Sequence, residues 1–504
     1  MLNKYIRMAL VFSVAALGTA CDFEEKNIDP NKSTFMEPGP LLTYTQLHTT
    51  WDASIKNLQV GTCMMLVQQT ATLNNTEQCA GDKYLGMHAP ANVYYNEYYS
   101  MPIKYWREME HQAAQNEKYQ NMQAVAKIWG AYLFQRVTDL FGNVPYTEAG
   151  LGYYEQIYKP KYDTQEFIYK DLVDQVKSGI SMLTDKKPKI EGDVFFDGNI
   201  DKWKKFGNSI LLHLGMRMCK VDPTFAQSTV QAALAGGVMS EAGDICMVKH
   251  IAGGRDADKN PLYVRYRSDD NVKNDVVKIS DTFMKYLKAT NDPRISVLCS
   301  LKDGNSDPKV QYGMPNGYDS KSIETVSGFL GKEACSTFNI NTILKEDAPT
   351  LIMMPSESKL LEAEAVLRGW AQGDATALFN DAVRMAMAEQ KVAYGVEIPA
   401  EDVEAYIAQD LMGKAQTIDE KMEVLGCQYW IVTFMNGFES YANWRRCGYP
   451  KLKPTHYAGN ESNGEIPRRL PYSLNEYTIN KANVEAAVNQ QGTDNVNTRI
   501  WWDK

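Results

Sequence analysis

Apolar positions recur every three to four residues along several stretches of the chain, and each such stretch predicts a helix. Val125, Ile128, Trp129, Tyr132, Leu133, Val137 and Leu140 mark the first, which Gly142 stops and Pro145 keeps from resuming. A second starts at Asp163, with Glu166 three residues on as a capping box, and turns Ile168, Leu172, Val176, Ile180 and Leu183 inward. A third runs from about Asp201 to Lys220 with Trp203, Phe206, Ile210, Leu214 and Met218 on its core face, and Asp222-Pro223 closes it. Ser356 to Arg368 and Asp374 to Lys391 form two more, joined by the turn Gly369-Trp370-Ala371-Gln372-Gly373. Ala363, Ala365, Ala382 and Ala386 let these two pack closely, as in a tetratricopeptide-type pair that lacks the full consensus. Leu425 to Phe438 is apolar nearly all round and predicts one fully buried helix.

Two stretches, roughly residues 71–120 and 240–350, lack such periodicity and are rich in Gly, Asn, Asp, Pro and Tyr. Long irregular insertions in a helical protein are usually functional. No low-complexity linker divides the chain, so the reading is one mostly α domain over residues 21–504 with large loop insertions.

The N-terminus departs from this pattern. Lys4 and Arg7 precede an uncharged run from Met8 to Ala20, too short to span a bilayer and ending in small residues, as an export signal does. Cys21 follows Leu17-Gly18-Thr19-Ala20, which reads as a lipobox with its leucine one place early. Residues 1–20 are therefore expected to be a lipoprotein signal peptide and Cys21 the lipidation site, with several acyl chains as the only anchor. No later run is apolar enough for a transmembrane helix.

The 504 residues carry a formal net charge of -9, which argues against nucleic acid as a partner. None of the eight cysteines after Cys21 is spaced as C-x-x-C, so no zinc or redox motif is indicated, and buried free thiols are expected for most. There is no H-E-x-x-H, G-x-S-x-G, Walker or Rossmann motif. S-x-x-K occurs at Ser356–Lys359 and Ser306–Lys309 without its K-T-G companion, and Ser356 reads as a helix cap. Asp256, Asp258 and Asn260 begin like a calcium loop, but Pro261 and Arg267 replace its glycine and its glutamate. No catalytic residue, metal or cofactor is expected, although glycoside hydrolysis needs only two carboxylates and sequence singles out no pair.

Several segments, in order, carry a resemblance. They are Asn27-Ile28-Asp29-Pro30-Asn31, Asp139-Leu140-Phe141-Gly142-Asn143-Val144-Pro145-Tyr146, Lys259-Asn260-Pro261-Leu262 and Asn291-Asp292-Pro293-Arg294. Ser356-Glu357 through Glu364 to Arg368-Gly369, Trp444-Arg445-Arg446-Cys447-Gly448-Tyr449-Pro450, Ile466-Pro467-Arg468-Arg469-Leu470 and Trp501-Trp502-Asp503 complete the set. Together they resemble the SusD/RagB family of Bacteroidetes outer-membrane lipoproteins, in its SusD-like nutrient-binding branch; Cys447 stands where the family usually has threonine. The resemblance implies about four tetratricopeptide-like helix pairs with ligand loops on another face. It also implies a SusC-like TonB-dependent transporter as partner, an oligosaccharide or in some members a peptide as ligand, and surface export. A surface glycan-degrading enzyme and a mainly structural lid are the competing functions.

Physical roles are expected for most of these motif residues. Arg445, Arg446, Arg468 and Arg469 should pair with carboxylates such as Glu362 or Glu364, or with buried carbonyls, and Trp501 and Trp502 should pin the C-terminus. Tyr94, Tyr95, Tyr98 and Tyr99 share one helix face and read as core. The ligand candidates are Tyr263, Arg265, Tyr266 and Arg267, which mix stacking with charge after a Gly/Asp-rich loop, and Tyr312, Asn316 and Tyr318 in a Gly/Pro loop. Tyr84 is a further candidate.

Overall fold

The amphipathic runs fold into paired helices. The protein was analysed as a computed structural model that describes residues 36–50, 54–76, 79–267 and 276–504. The expected signal peptide and Cys21 lie outside these residues. Helix α1 (Pro38–His48), α2 (His88–Tyr98), α3 (Lys104–Ala114), α4 (Gln120–Phe141), α5 (Gln165–Met182), α6 (Ile200–Arg217) and α7 (Pro223–Gly236) make up the first half. After a short α8 (Pro261–Tyr266) come α9 (Pro355–Leu367), α10 (Ala375–Tyr394), α11 (Ile418–Val432) and α12 (Gly437–Cys447). Helix α1 packs on α3, α4 on α5, α6 on α7 and α9 on α10, and α5 stacks on α6 to join successive pairs. This is the mostly α fold that the periodicity indicates, with the tetratricopeptide-like pairs that the resemblance implies. Pro38–Lys504 form one compact unit. Among the described residues no helix is long and apolar enough to cross a membrane.

Strands are only two to four residues long and pair as four antiparallel clips between loops. Thr70–Ala71 pair with Lys278–Ile279, and Cys299–Ser300 with Thr337–Phe338. They matter because they draw the 70s, 280s and 330s together.

The structure corrects several boundaries. The stretch 71–120 is largely helical: α2 runs through a wider π turn at Tyr99–Ile103, which accommodates Pro102, into α3. Its core face is tyrosine rather than leucine, and Tyr94, Tyr95 and Tyr98 are all buried, as their spacing along one helix face indicates. The stretch 240–350 does stay irregular, broken only by short elements. Helix α5 is capped by Thr164, whose side chain accepts from Phe167 N–H; Asp163 instead accepts from the backbone and hydroxyl of Thr147. Asp222 does not close α6 but caps α7, accepting from Phe225 N–H. The apolar run 425–438 is two helices, broken where Met435 takes a φ of 75°. Ser356 is no cap: its N–H and hydroxyl both donate to buried Glu389, at 2.8 and 2.6 Å.

The arginine motifs are buried and paired. Arg446 grips Glu364 through two bonds of 2.6 Å, Arg469 meets Asp494 at 2.6 Å, and Arg468 pairs with Asp503. Arg445 donates to the carbonyl of Arg468 at 2.9 Å. Trp502 is fully buried and donates to Asp139 at 2.9 Å, which fastens the C-terminus to α4. Seven of the described cysteines, Cys335 aside, are free thiols, and burial pushes those of Cys63 and Cys427 up to about 12. Asp256 and Asp258 form no calcium loop: Asp258 pairs with Arg255, and Asn260 turns its amide inward to the carbonyls of Ile343 and Ala348.

Candidate ligand-binding site

One short segment, Gly81-Asp82-Lys83-Tyr84, holds the loops together. Gly81 passes so close to the chain at Thr62 that a Cβ there would lie 2.7 Å from the Thr62 Cα. Asp82 and Lys83 are fully buried. Lys83 Nζ donates to Asp82 at 2.9 Å and to the Thr72 carbonyl at 2.7 Å. The Asp82 carboxylate accepts from the N–H groups of Thr72 and Gly317, and its carbonyl accepts from the Thr455 hydroxyl at 2.7 Å. Burial pushes the Asp82 carboxyl up, and Lys83 opposes the shift. Tyr84, at a φ of 56°, accepts from Thr455 N–H through its hydroxyl and from Glu461 N–H through its carbonyl. Gly317 sits against Thr455, where a Cβ would lie 2.7 Å from the threonine Cβ. Three loops distant in sequence thus converge on one buried ion pair.

Above this floor they display hydrogen-bonding groups to solvent. Tyr457 donates to Asp319 at 2.6 Å, and exposed Asn75 donates to the Tyr457 hydroxyl at 2.7 Å. Asp319 also accepts from the N–H and hydroxyl of Ser322, both at 2.7 Å. The hydrogen bond from Tyr457, then those from Ser322, hold the Asp319 carboxyl well below the usual carboxylate range. It therefore stays an ionised acceptor and is no proton donor. Tyr318 adjoins it, half-buried. Beside it Tyr312 and Phe329, ring centres 6.5 Å apart, pack with Leu73 over a small apolar cluster of Ala71, Met314 and Cys335, and Leu330 stands 69% exposed. Amide, carboxylate and phenol next to aromatic surface suit a neutral, hydroxyl-rich ligand.

Of the sequence candidates, Tyr312 packs on Phe329 and Tyr318 directly precedes Asp319, both half-buried. The rings of Tyr84 and Tyr266 are buried, the first in the floor and the second beside Phe338, so they support the loops. Asn316 is also structural, since its amide donates to the Thr70 carbonyl at 2.8 Å and accepts from Ser280. Arg267 donates to the Ile340 carbonyl. Arg265 is half-buried on α8, and Tyr263, also half-buried, lies under Lys259. Sequence reasoning missed Asn75, Asp319 and Tyr457. Asp319 directly follows Tyr318 in the same turn, which was the available signal; nothing in sequence linked Asn75 or Tyr457 to it.

The structure thus combines a scaffold of helical pairs with a polar and aromatic loop face. Over residues 30–473 the chain matches the SusD-like family described as starch-binding and associating with the outer membrane, and it belongs to that family. Solved structures agree. A chitin-binding protein is 29% identical, with a TM-score of 0.81 over 93% of this chain and 100% of that one. A SusD-like protein of Bacteroidetes AC2a is 24% identical, with a TM-score of 0.82 over 93% and 100%. A chitin-binding SusD homologue from Flavobacterium johnsoniae is 21% identical, with a TM-score of 0.77 over 92% and 98%. No curated protein sequence matches the chain.

Proposed function

We propose that this protein is a non-catalytic, cell-surface oligosaccharide-binding lipoprotein that delivers its ligand to a SusC-like TonB-dependent transporter. The observation that carries the ligand class is the Asn75–Asp319–Tyr457 group, held over a rigid floor beside Tyr312, Tyr318 and Phe329. Chitin oligosaccharides are the first ligand to test, because a structural neighbour described as chitin-binding shares 29% of its residues. Asp319, its carboxyl held below the usual range by Tyr457 and Ser322, offers an ionised acceptor to sugar hydroxyls. In this reading residues 1–20 are removed, Cys21 carries the lipid, and residues 21–504 form the surface domain.

The test is calorimetric titration of the purified protein with chitin, starch-derived and peptide ligands, followed by chromatography of the recovered ligand. Saturable binding of an unshortened oligosaccharide is expected. Shortened chains would assign an enzyme instead, and binding of peptides alone would overturn the sugar reading. Mass spectrometry of the mature N-terminus tests the Cys21 anchor, and co-purification from outer membranes tests the transporter.

A further inference from the structure

Inside the scaffold, remote from the loop face, lies a cavity of about 30 Å³ lined by Tyr132, Arg136, His213, Glu357, Asn436 and Glu439 among others. His213 comes from α6, Glu357 from α9, and Asn436 and Glu439 from the start of α12. One donor atom each from His213, Glu357 and Glu439 lie within 4.8 Å of one another. His213 stands between the carboxylates, with Nδ1 3.7 Å from Glu439 and Nε2 3.9 Å from Glu357.

The three acids and bases are not equally engaged. Glu439 is saturated by Arg217 at 2.6 Å and the Tyr429 hydroxyl at 2.7 Å. Glu357 accepts from Met354 N–H at 2.8 Å through one oxygen, and its other oxygen has only Tyr429 at 3.2 Å. His213 Nε2 and Asn436 Oδ1 are buried with no hydrogen-bond partner, on residues 2% and 5% exposed. Asp139, Glu357 and Glu439 face two guanidiniums; Arg217 serves Asp139 and Glu439, while Arg136 lies over the rings of Tyr132 and Phe438. Glu357 is the carboxylate that no guanidinium pairs with, its nearest basic atom being His213 Nε2 at 3.9 Å, and two orphaned lone pairs share its cavity.

We propose that this cavity is a zinc-type divalent-metal site. His213 Nε2 and Glu357 are its ligands, Asn436 Oδ1 and a water complete the shell, and Glu439 lies behind the imidazole, 3.7 Å from Nδ1. A carboxylate behind a ligating histidine is the usual second-layer arrangement. One imidazole and few oxygens suit zinc, whereas calcium takes six to eight oxygens. The volume admits an ion with a bound water. Such an ion would tie α6, α9 and α12 together inside the scaffold and stabilise the folded state by mass action.

The test uses protein produced with zinc in the medium, desalted, and analysed by mass spectrometry for metal and by thermal melting. A single tightly held zinc per chain is expected, lost at least about tenfold in H213Q and in E357Q, with a melting temperature that falls on chelation in wild type only. N436D, which adds a charged donor at the same place, should hold zinc about tenfold more tightly against a competing chelator. A zinc-free wild type, equal retention by wild type and H213Q, or unchanged retention in N436D would each overturn the assignment.

Discussion

Replacing Lys83 with methionine tests whether one buried ion pair holds the ligand-binding loops. The substitution keeps most of the apolar stem and removes the ammonium, which bonds Asp82 at 2.9 Å and the Thr72 carbonyl at 2.7 Å. Asp82 is then a fully buried carboxylate whose remaining partners are two backbone N–H groups at 3.3 and 3.2 Å. Breaking a buried pair by deleting one member costs about 3–5 kcal/mol, mostly from the stranded charge. At about 1.4 kcal/mol per decade, that is roughly two to three and a half decades in a local opening equilibrium. The opening should be confined to the segments that Asp82 joins, those around Thr72, Gly317 and Thr455, because α4 and α5 are held by packing that does not involve the pair.

Amide hydrogen exchange followed by mass spectrometry reads this directly. In K83M, peptides covering 70–76, 312–320 and 453–458 should lose about a hundredfold or more of their protection, and peptides from Gln120–Phe141 should not change. The double variant D82N/K83M removes the charge while leaving an amide oxygen for the two N–H groups, so it should regain most of that protection. Unchanged exchange around Gly317 and Thr455 in K83M would refute the idea of a hub. Equal exchange in the single and double variants would refute the stranded charge as the cause.

Three further outcomes follow from the same contacts. Y457F and D319N should each weaken oligosaccharide binding about tenfold to a hundredfold, with unchanged melting temperature; undiminished calorimetric affinity would remove the pair from the site. Glu389 is buried and pushed up to about 8, so its contribution is full below the unfolded value near 4.5 and is lost as pH rises through about 8. That window corresponds to about 5 kcal/mol, and melting curves between pH 5 and 9 should show an alkaline loss in wild type that E389Q lacks. Burial would raise the Glu364 carboxyl, but Arg446 and then Arg368 overcome it and hold it at about 2, so its contribution is present above the unfolded value and fades as pH falls through about 2. R446M should therefore destabilise the fold by about 3–5 kcal/mol and move the acid limb of denaturation to higher pH; an unshifted acid midpoint would count against the pairing.

How far the chain could be read in advance depended on whether a feature is local. Helices α4, α5 and α6 declare themselves because their apolar residues repeat within a few turns, and Gly142 marks an end that the structure keeps. The partner of Arg446 was also within reach, since a buried guanidinium needs a carboxylate and Glu364 lies on a neighbouring buried helix. Helix α2 was legible only at its tyrosines, whose spacing marks one helix face, while composition made the rest of the stretch look like loop. The break at Met435 escaped because an all-apolar run has no period to interrupt. Two of the ligand candidates turn out to be buried, for a different reason. Tyr84 and Tyr266 have the residue type that stacks on sugars, but type says nothing about which side of a loop faces water, and both face inward. The group that does face outward is assembled from contacts 138 and 382 residues apart in the chain. Its assembly depends on Asp82 and Lys83, two adjacent charged residues that would ordinarily be assigned to the surface. Their burial is what turns three loops into one surface, so the proposed binding face is specified by the least conspicuous polar pair in the sequence and becomes visible only when its four hydrogen bonds to Thr72, Gly317 and Thr455 are seen together.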